Sequence, residues 1–132
     1  MLTIPWSRTK NNSGAATLVQ VSRLELKRAR DVPSFLIAAL RIRHITLRSS
    51  GAVGVSIRAE PFRRIFWTLS AWESDDAIRE FVRSDYHRSV MAKYRDRMIG
   101  AHFHTWSEVD STMRRVSWDD ARRRYETAQQ QA

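Results

Sequence analysis

The sequence predicts an α+β fold in the order βαββαβ, with an extra helix at the C-terminal end. The run 66–74 (FWTLSAWES) indicates a strand that is apolar on both faces, followed at once by a helix start. Helical runs with apolar residues three and four apart alternate with short runs rich in β-branched and aromatic residues. In a small domain, a strand with two buried faces needs cover on both sides. The chain's own helices can supply one cover, so we expect a second copy of the chain to supply the other.

Four strands are predicted from runs of β-formers bounded by turn residues, at 18–26, 52–59, 65–72 and 101–109. In the second strand, Val53, Val55, Ile57 and Ala59 are expected on one face. The Glu60-Pro61-Phe62-Arg63 turn makes a hairpin of the second and third strands.

Three helices separate or follow these strands. The first begins at Asp31-Val32-Pro33, where a capping carboxylate precedes a proline, and ends at Ser49-Ser50-Gly51. The second begins at Ser74 and is expected to continue to Gly100. The last begins at Ser117, with early acidic residues that suit the helix dipole. This order is the ferredoxin-like arrangement.

The length and composition fit one domain. The 132 residues are 42% hydrophobic and 28% charged, and we expect an irregular lead over residues 1–15 and a single ferredoxin-like domain over 16–132. The chain has no cysteine, which excludes disulfides and cysteine-ligated zinc. No apolar run approaches the roughly 18 residues of a membrane span, and the first residues do not resemble a signal peptide. A cytoplasmic protein with no membrane partner is therefore expected.

The net charge of +9 is the feature that would favour a nucleic-acid partner. Arginine supplies most of the basic residues, and they are spread from Arg8 to Arg124 in short clusters. No helix-turn-helix, zinc-finger or RNA-recognition motif accompanies them. We therefore interpret the charge as a solvated surface and do not expect nucleic acid as a partner.

The run 66–74, the later His87 and Ser117-Trp118 resemble small bacterial proteins of the dimeric α+β barrel superfamily. These are grouped with antibiotic-biosynthesis monooxygenase-like proteins and related bacterial domains of unknown function, and the resemblance covers residues 16 to 126. It implies a homodimer in which two sheets pack face to face, with a pocket between sheet and helices in each subunit. It also implies a monooxygenase-like oxidoreductase acting on a flat aromatic or polyketide-like ligand, with no required cofactor or with heme.

The heme-degrading branch of that superfamily uses an asparagine on the first strand, a tryptophan near the third and a histidine on the second helix. Trp67 or Trp72 matches the tryptophan and His87 the histidine. The first strand offers only Gln20 and Ser22, while Asn11 and Asn12 precede it. This departure disfavours heme degradation.

His87 is the candidate catalytic residue, because an imidazole facing an apolar cavity can act as a base or ligate heme iron. The alternative is a surface histidine, or one bonded to a backbone carbonyl. Trp67 and Trp72 are expected on opposite faces of their strand. Either can stack on a flat ligand or fill a dimer core.

The remaining candidate pocket residues are Arg58, His102, His104 and Trp106. Arg58 can anchor an acidic group beside the small residues Gly54 and Ser56, unless those small side chains only allow a helix to pack closely. His102 and His104 share a strand face with Trp106, and this face is expected to line a pocket or an interface. We predict no metal site. The other function left open is a non-catalytic dimer that binds a small molecule or a protein.

Overall fold

The computed structural model describes residues 1–9, 18–108 and 117–131. It has one five-stranded antiparallel sheet in the order β1-β3-β4-β2-β5. The strands are β1 Leu2–Arg8, β2 Leu18–Leu26, β3 Ala52–Glu60, β4 Ile65–Trp72 and β5 Met98–Ser107. The helices are α1 Val32–Arg48, α2 Asp75–Val82, α3 Asp85–Tyr94 and α4 Trp118–Gln130. The predicted α+β, ferredoxin-like fold with an extra C-terminal helix is confirmed.

The strands predicted at 18–26 and 65–72 begin and end at the predicted residues. The capping serines of two helices are also confirmed. The Ser74 hydroxyl accepts a hydrogen bond from the Ala77 amide, and the Ser117 hydroxyl accepts one from the Asp120 amide, each at 3.2 Å. Asp31 does not cap α1 with its side chain. Its carboxylate lies instead 3.3 Å from the Arg97 guanidinium.

The N-terminal residues correct one prediction. Residues 1–15 were expected to be irregular, but Leu2–Arg8 form β1, which pairs antiparallel with β3 at the edge of the sheet. Pro5 interrupts the strand pattern, and an edge strand tolerates proline because one side of its backbone needs no partner. Residues 10–15 lie outside the described residues.

The second predicted helix is two helices. α2 ends at Val82 and α3 begins at Asp85, with the Ser84 hydroxyl donating to the Phe81 carbonyl between them. The four-residue apolar spacing continues across this break, so periodicity could not reveal it. Gly100 does not end a helix either, because β5 begins at Met98. No helix in the described ranges is long and apolar enough to cross a membrane.

The two faces of the sheet have different covers. α1, α2 and α3 lie over one face, which we call the cavity face. α4 lies over the other, where Trp118, Ala121 and Tyr125 pack against Val21 and Leu69. The cover that we assigned to a second copy of the chain is thus supplied by the chain's own α4. That step of the reasoning is wrong, and the homodimer stays a prediction.

An irregularity in β3 modifies its predicted faces. The pairing with β4 shifts between Ala52 and Gly54. Val53 therefore joins the core under α4, whereas Val55 and Ile57 lie on the cavity face. The predicted common face of these three valine and isoleucine side chains is wrong for Val53.

Candidate functional site

A cavity of about 400 Å³ lies between the sheet and the helices α1, α2 and α3. Its walls are mostly apolar, with side chains from three helices and four strands. They include Leu24, Phe35, Ala39, Ile42, Val55, Ile57, Phe66, Ile78, Phe81, Met91 and Phe103. A space of this size and lining suits a small, largely apolar ligand.

A polar row crosses the floor of this cavity where β2 and β4 pair. Gln20 stands opposite Ser70, and Ser22 stands opposite Thr68. The hydroxyls of Ser22 and Thr68 are hydrogen-bonded to each other. These four residues were not predicted as a polar row. The sequence signal for the row is the occurrence of polar residues two apart in otherwise apolar strands.

Trp72 forms part of the cavity wall and is almost fully buried. Its indole N–H donates to the Ser70 hydroxyl at 2.9 Å, and its ring centre lies 5.2 Å from that of Phe81. The hydrogen bond fixes the orientation of the indole, so one apolar face can serve as a rigid wall for a flat ligand.

His87 projects from α3 into the same cavity. Its ring packs edge-on against Phe81 with the ring centres 5.2 Å apart. The Nδ1 atom is buried and has no hydrogen-bond partner among the described residues. Burial lowers the pKa of His87, although the Val82 backbone carbonyl opposes this shift. The imidazole is therefore neutral near pH 7.

Arg43 is a cavity residue that sequence analysis missed. It comes from α1, and its Nη2 donates to the Ser7 hydroxyl of β1 at 2.8 Å. Its Nε is buried and without a partner in the described part of the chain. Its position in a run of arginines (Arg41, Arg43, Arg48) on one helix gave no reason to separate it from surface residues.

The structure does not bring Trp67 to this cavity. Trp67 lies under α4, where its ring meets Tyr125 edge-on at 5.3 Å and the Arg122 guanidinium lies 4.5 Å from the ring centre. Its indole N–H donates to Glu60 at 3.1 Å. Burial raises the pKa of Glu60, but the indole hydrogen bond and the Arg63 charge outweigh it, so this pKa is lowered. The predicted opposite orientation of Trp67 and Trp72 is confirmed.

Arg58 also lies on the α4 face, with its guanidinium 4.9 Å from the Trp118 ring centre. The small residues beside it allow close packing. Trp118 donates its indole N–H to the Ser56 hydroxyl at 3.0 Å, and a Cβ added to Gly54 would lie 2.4 Å from the Trp6 ring. These contacts favour the packing interpretation of the small face over a ligand space with Arg58 as anchor.

The predicted face of His102, His104 and Trp106 also points away from the cavity. His104 stacks on Trp106 with ring centres 5.8 Å apart, and Arg124 of α4 lies 5.0 Å from the Trp106 ring. His102 stands opposite Arg23 of β2. Within the ranges that the structure describes, no group of three His, Asp or Glu side chains is placed to hold a metal ion. Asn11 and Asn12 lie outside those ranges.

Two residues that line the cavity are also exposed to solvent. Phe103 of β5 and Val82 at the end of α2 both line it, and both are about half exposed. On the helix side, Val82, His87 and Met91 are shared between the cavity and an outer groove. That groove is also lined by Asp85, Arg88 and Arg95.

No protein-family model matches the sequence, and no curated protein matches it. Solved structures do share its fold. A "putative monooxygenase" from Fusobacterium nucleatum has a TM-score of 0.70 at 11% identity, over 82% of this chain and 50% of that one. A "putative antibiotic biosynthesis monooxygenase" from Nitrosomonas europaea has a TM-score of 0.65 at 12% identity, over 76% and 98%.

SnoaB from Streptomyces nogalater, described as a cofactor-independent oxygenase, has a TM-score of 0.59 at 15% identity, over 73% of this chain and 96% of that one. The chain therefore spans half the length of the Fusobacterium protein and almost all of the other two. At these identities the likeness shows the fold, which is that of the antibiotic-biosynthesis monooxygenase-like proteins. The resemblance seen in the sequence is confirmed at that level.

Proposed function

We propose that the protein is a cofactor-independent oxygenase whose cavity takes a flat aromatic, polyketide-like substrate. One observation carries the proposal: His87, a half-buried histidine whose Nδ1 has no hydrogen-bond partner among the described residues, lines a cavity whose walls are mostly apolar. A neutral imidazole in such a place is suited to take a proton from a bound molecule. The fold shared with SnoaB, described as a cofactor-independent oxygenase, agrees with this chemistry.

The reaction is illustrated by a substrate with an acidic CH₂ group next to aromatic rings. His87 takes one proton, and the carbanion left behind passes electrons to dioxygen to form a C–O bond. The resulting peroxide receives the proton from His87. Loss of the second C–H proton and cleavage of the O–O bond then give a ketone and water. The CH₂ carbon loses four electrons and dioxygen gains four.

The chain would contribute three things to this reaction. The apolar walls exclude water, which strengthens electrostatic interactions with the anion. Trp72 provides a fixed flat wall against which the rings can stack. Because burial lowers the pKa of His87, its base form persists at neutral pH.

The direct test uses anthrone, which would be converted to anthraquinone with one oxygen atom from dioxygen. Oxygen uptake and ¹⁸O₂ incorporation are measured for the wild type, His87→Ala and His44→Ala. The last variant is the control, because it removes a histidine that is exposed on α1. We expect His87→Ala to lower the rate by about 10²-fold or more, as for loss of a general base, and His44→Ala to leave it unchanged. Full turnover by His87→Ala would show that His87 is not the base.

Heme is the alternative occupant, and the cavity's residues fit it in one respect. His87 lines the cavity, and an imidazole nitrogen is the kind of donor that ligates heme iron. Bound heme would supply redox chemistry at its iron. Titration with hemin tests this, because a Soret band that sharpens with the wild type and weakens in His87→Ala would indicate a heme protein.

A non-catalytic binding protein is the second candidate. The polar row favours it, since Ser22 and Thr68 bond to each other and Ser70 accepts from Trp72. These hydroxyl groups already take part in hydrogen bonds, so they have fewer free donors with which to stabilise a developing anion. Binding of anthraquinone without turnover of anthrone would support this function over the oxygenase.

A further inference from the structure

We infer that the ligand of the cavity carries a carboxylate that pairs with Arg43. The inference rests on the proposed use of the cavity as a substrate or ligand site, and it deepens that proposal by defining the ligand as a flat organic acid. It applies equally to the oxygenase and to the binding protein.

The position of Arg43 is the first argument. Its side chain leaves α1 and reaches the cavity, where the Ser7 hydroxyl holds Nη2 at 2.8 Å and fixes the guanidinium. The Nε atom is buried and finds no acceptor in the described ranges. A guanidinium offers several N–H donors in a planar fork that matches the two oxygens of a carboxylate.

The charge balance is the second argument. Among the described residues, no aspartate or glutamate lines the cavity. Arg43 itself forms no ion pair in the part of the chain that the structure describes. Because His87 is neutral near pH 7, Arg43 is a charged residue without a counter-charge among the described residues that line the cavity.

Arg43 is half-buried, and a partly desolvated charge is stabilised by an opposite charge beside it. A carboxylate on the ligand would neutralise this charge and accept hydrogen bonds from the guanidinium. The outer groove favours the same sign of ligand, because it is lined by Arg88 and Arg95 but only one acid, Asp85.

The competing interpretation is structural, namely that Arg43 only ties α1 to β1 through Ser7. In that case the cavity would bind neutral and anionic ligands alike. The two interpretations thus differ in a measurement on the wild-type protein, which does not depend on whether any variant folds.

The experiment measures binding of anthraquinone-2-carboxylate and its neutral analogue anthraquinone-2-carboxamide at pH 7 by isothermal titration calorimetry. We expect the wild type to bind the carboxylate at least tenfold more tightly. In Arg43→Gln this preference should disappear while the carboxamide affinity stays unchanged. Arg48→Gln, which alters an exposed arginine of the same helix, should keep the wild-type preference.

Each outcome decides something. Equal wild-type affinity for the two compounds would overturn the inference but leave the cavity as a ligand site. Binding of neither compound would overturn both the inference and the proposed function. A preference that survives in a folded Arg43→Gln would assign the carboxylate to another cation and contradict the role of Arg43.

Discussion

At the scale of single residues, Trp67 and Trp72 show how position decides the role of one residue type. They lie five apart on one strand and face opposite sides of the sheet. Trp72 lines the cavity, whereas Trp67 is enclosed by α4 side chains. The period of two in a strand predicted the opposition. That period alone could not predict which face carries the cavity, because each face of β4 has a tryptophan; the signal was the pair Thr68 and Ser70 on the face of Trp72.

The same limit applies to the other candidate residues. His87 was chosen because the family resemblance placed a histidine on that helix; the structure places it at the cavity, and its catalytic role stays a prediction. Arg58, His102, His104 and Trp106 were chosen for their chemistry, and they lie on the α4 face. Arg43 was overlooked, since an arginine between other arginines on a helix carries no sequence signal of burial.

The titration of His87 gives a prediction at this scale. Its pKa in the folded state lies below 6.5, so the unfolded chain binds more protons as the pH falls below that value. Stability therefore decreases on acidification through this range, by the linkage between proton binding and folding. We expect the wild type to lose more thermal stability between pH 7.5 and pH 5.5 than His87→Asn does. Thermal unfolding followed by circular dichroism measures this difference. The two pH values lie on either side of the usual histidine pKa of about 6.5.

An equal loss of stability in the two proteins would mean that His87 is not shielded from solvent. His44→Asn is the matched control, because His44 is exposed on α1. It should behave as the wild type does.

At the scale of elements, the sequence predicted the strands better than it predicted which segments pack on each face of the sheet. Two strands were predicted to the residue, because alternation and turn residues are local signals. The break between α2 and α3 was missed, since the apolar spacing runs through it. The position of α4 was also missed, because an amphipathic helix fits an apolar surface of its own chain or of a partner equally well.

Trp118 provides the test of how α4 packs. It is buried against the sheet, and its indole donates to the Ser56 hydroxyl at 3.0 Å. Trp118→Ala should lower the free energy of unfolding by about 3–5 kcal/mol, the usual cost of removing a large buried aromatic side chain. Urea unfolding measures the change. Arg123→Ala, at an exposed position of α4, should change it by less than about 0.5 kcal/mol.

A loss below about 1 kcal/mol for Trp118→Ala would contradict the packing of α4 on its own sheet. The second face would then need the cover that we first expected from another copy of the chain.

At the scale of the whole molecule, the outer edge of β5 is the feature that bears on assembly. The sheet order places β5 at one end, and among the described residues no strand pairs with its outer side. A ten-residue edge of this kind is a ready template for pairing with another chain. Ile99 and Phe103 on this strand are 60% and 52% exposed.

The homodimer expected from the resemblance stays a prediction, and we propose β5 as a contact between its two copies, in addition to the face-to-face packing that the resemblance implies. We predict that the protein sediments as a dimer and that Phe103→Glu shifts it to monomer. Phe62→Glu is the control, because Phe62 is fully exposed at the tip of the β3–β4 hairpin, away from that edge. A wild type that stays monomeric at high concentration in sedimentation velocity would refute the dimer.

A dimer contact at β5 would also affect ligand binding in the cavity. Phe103 lines the cavity and is half exposed, so a partner seated on β5 would cover that mouth of the cavity. Covering it would remove water from the ligand and strengthen the interactions inside. If this is so, the affinity for anthraquinone-2-carboxylate should rise as the protein concentration is raised through the dimerisation range. The helix-side groove beside His87 would then remain as the route by which ligand enters.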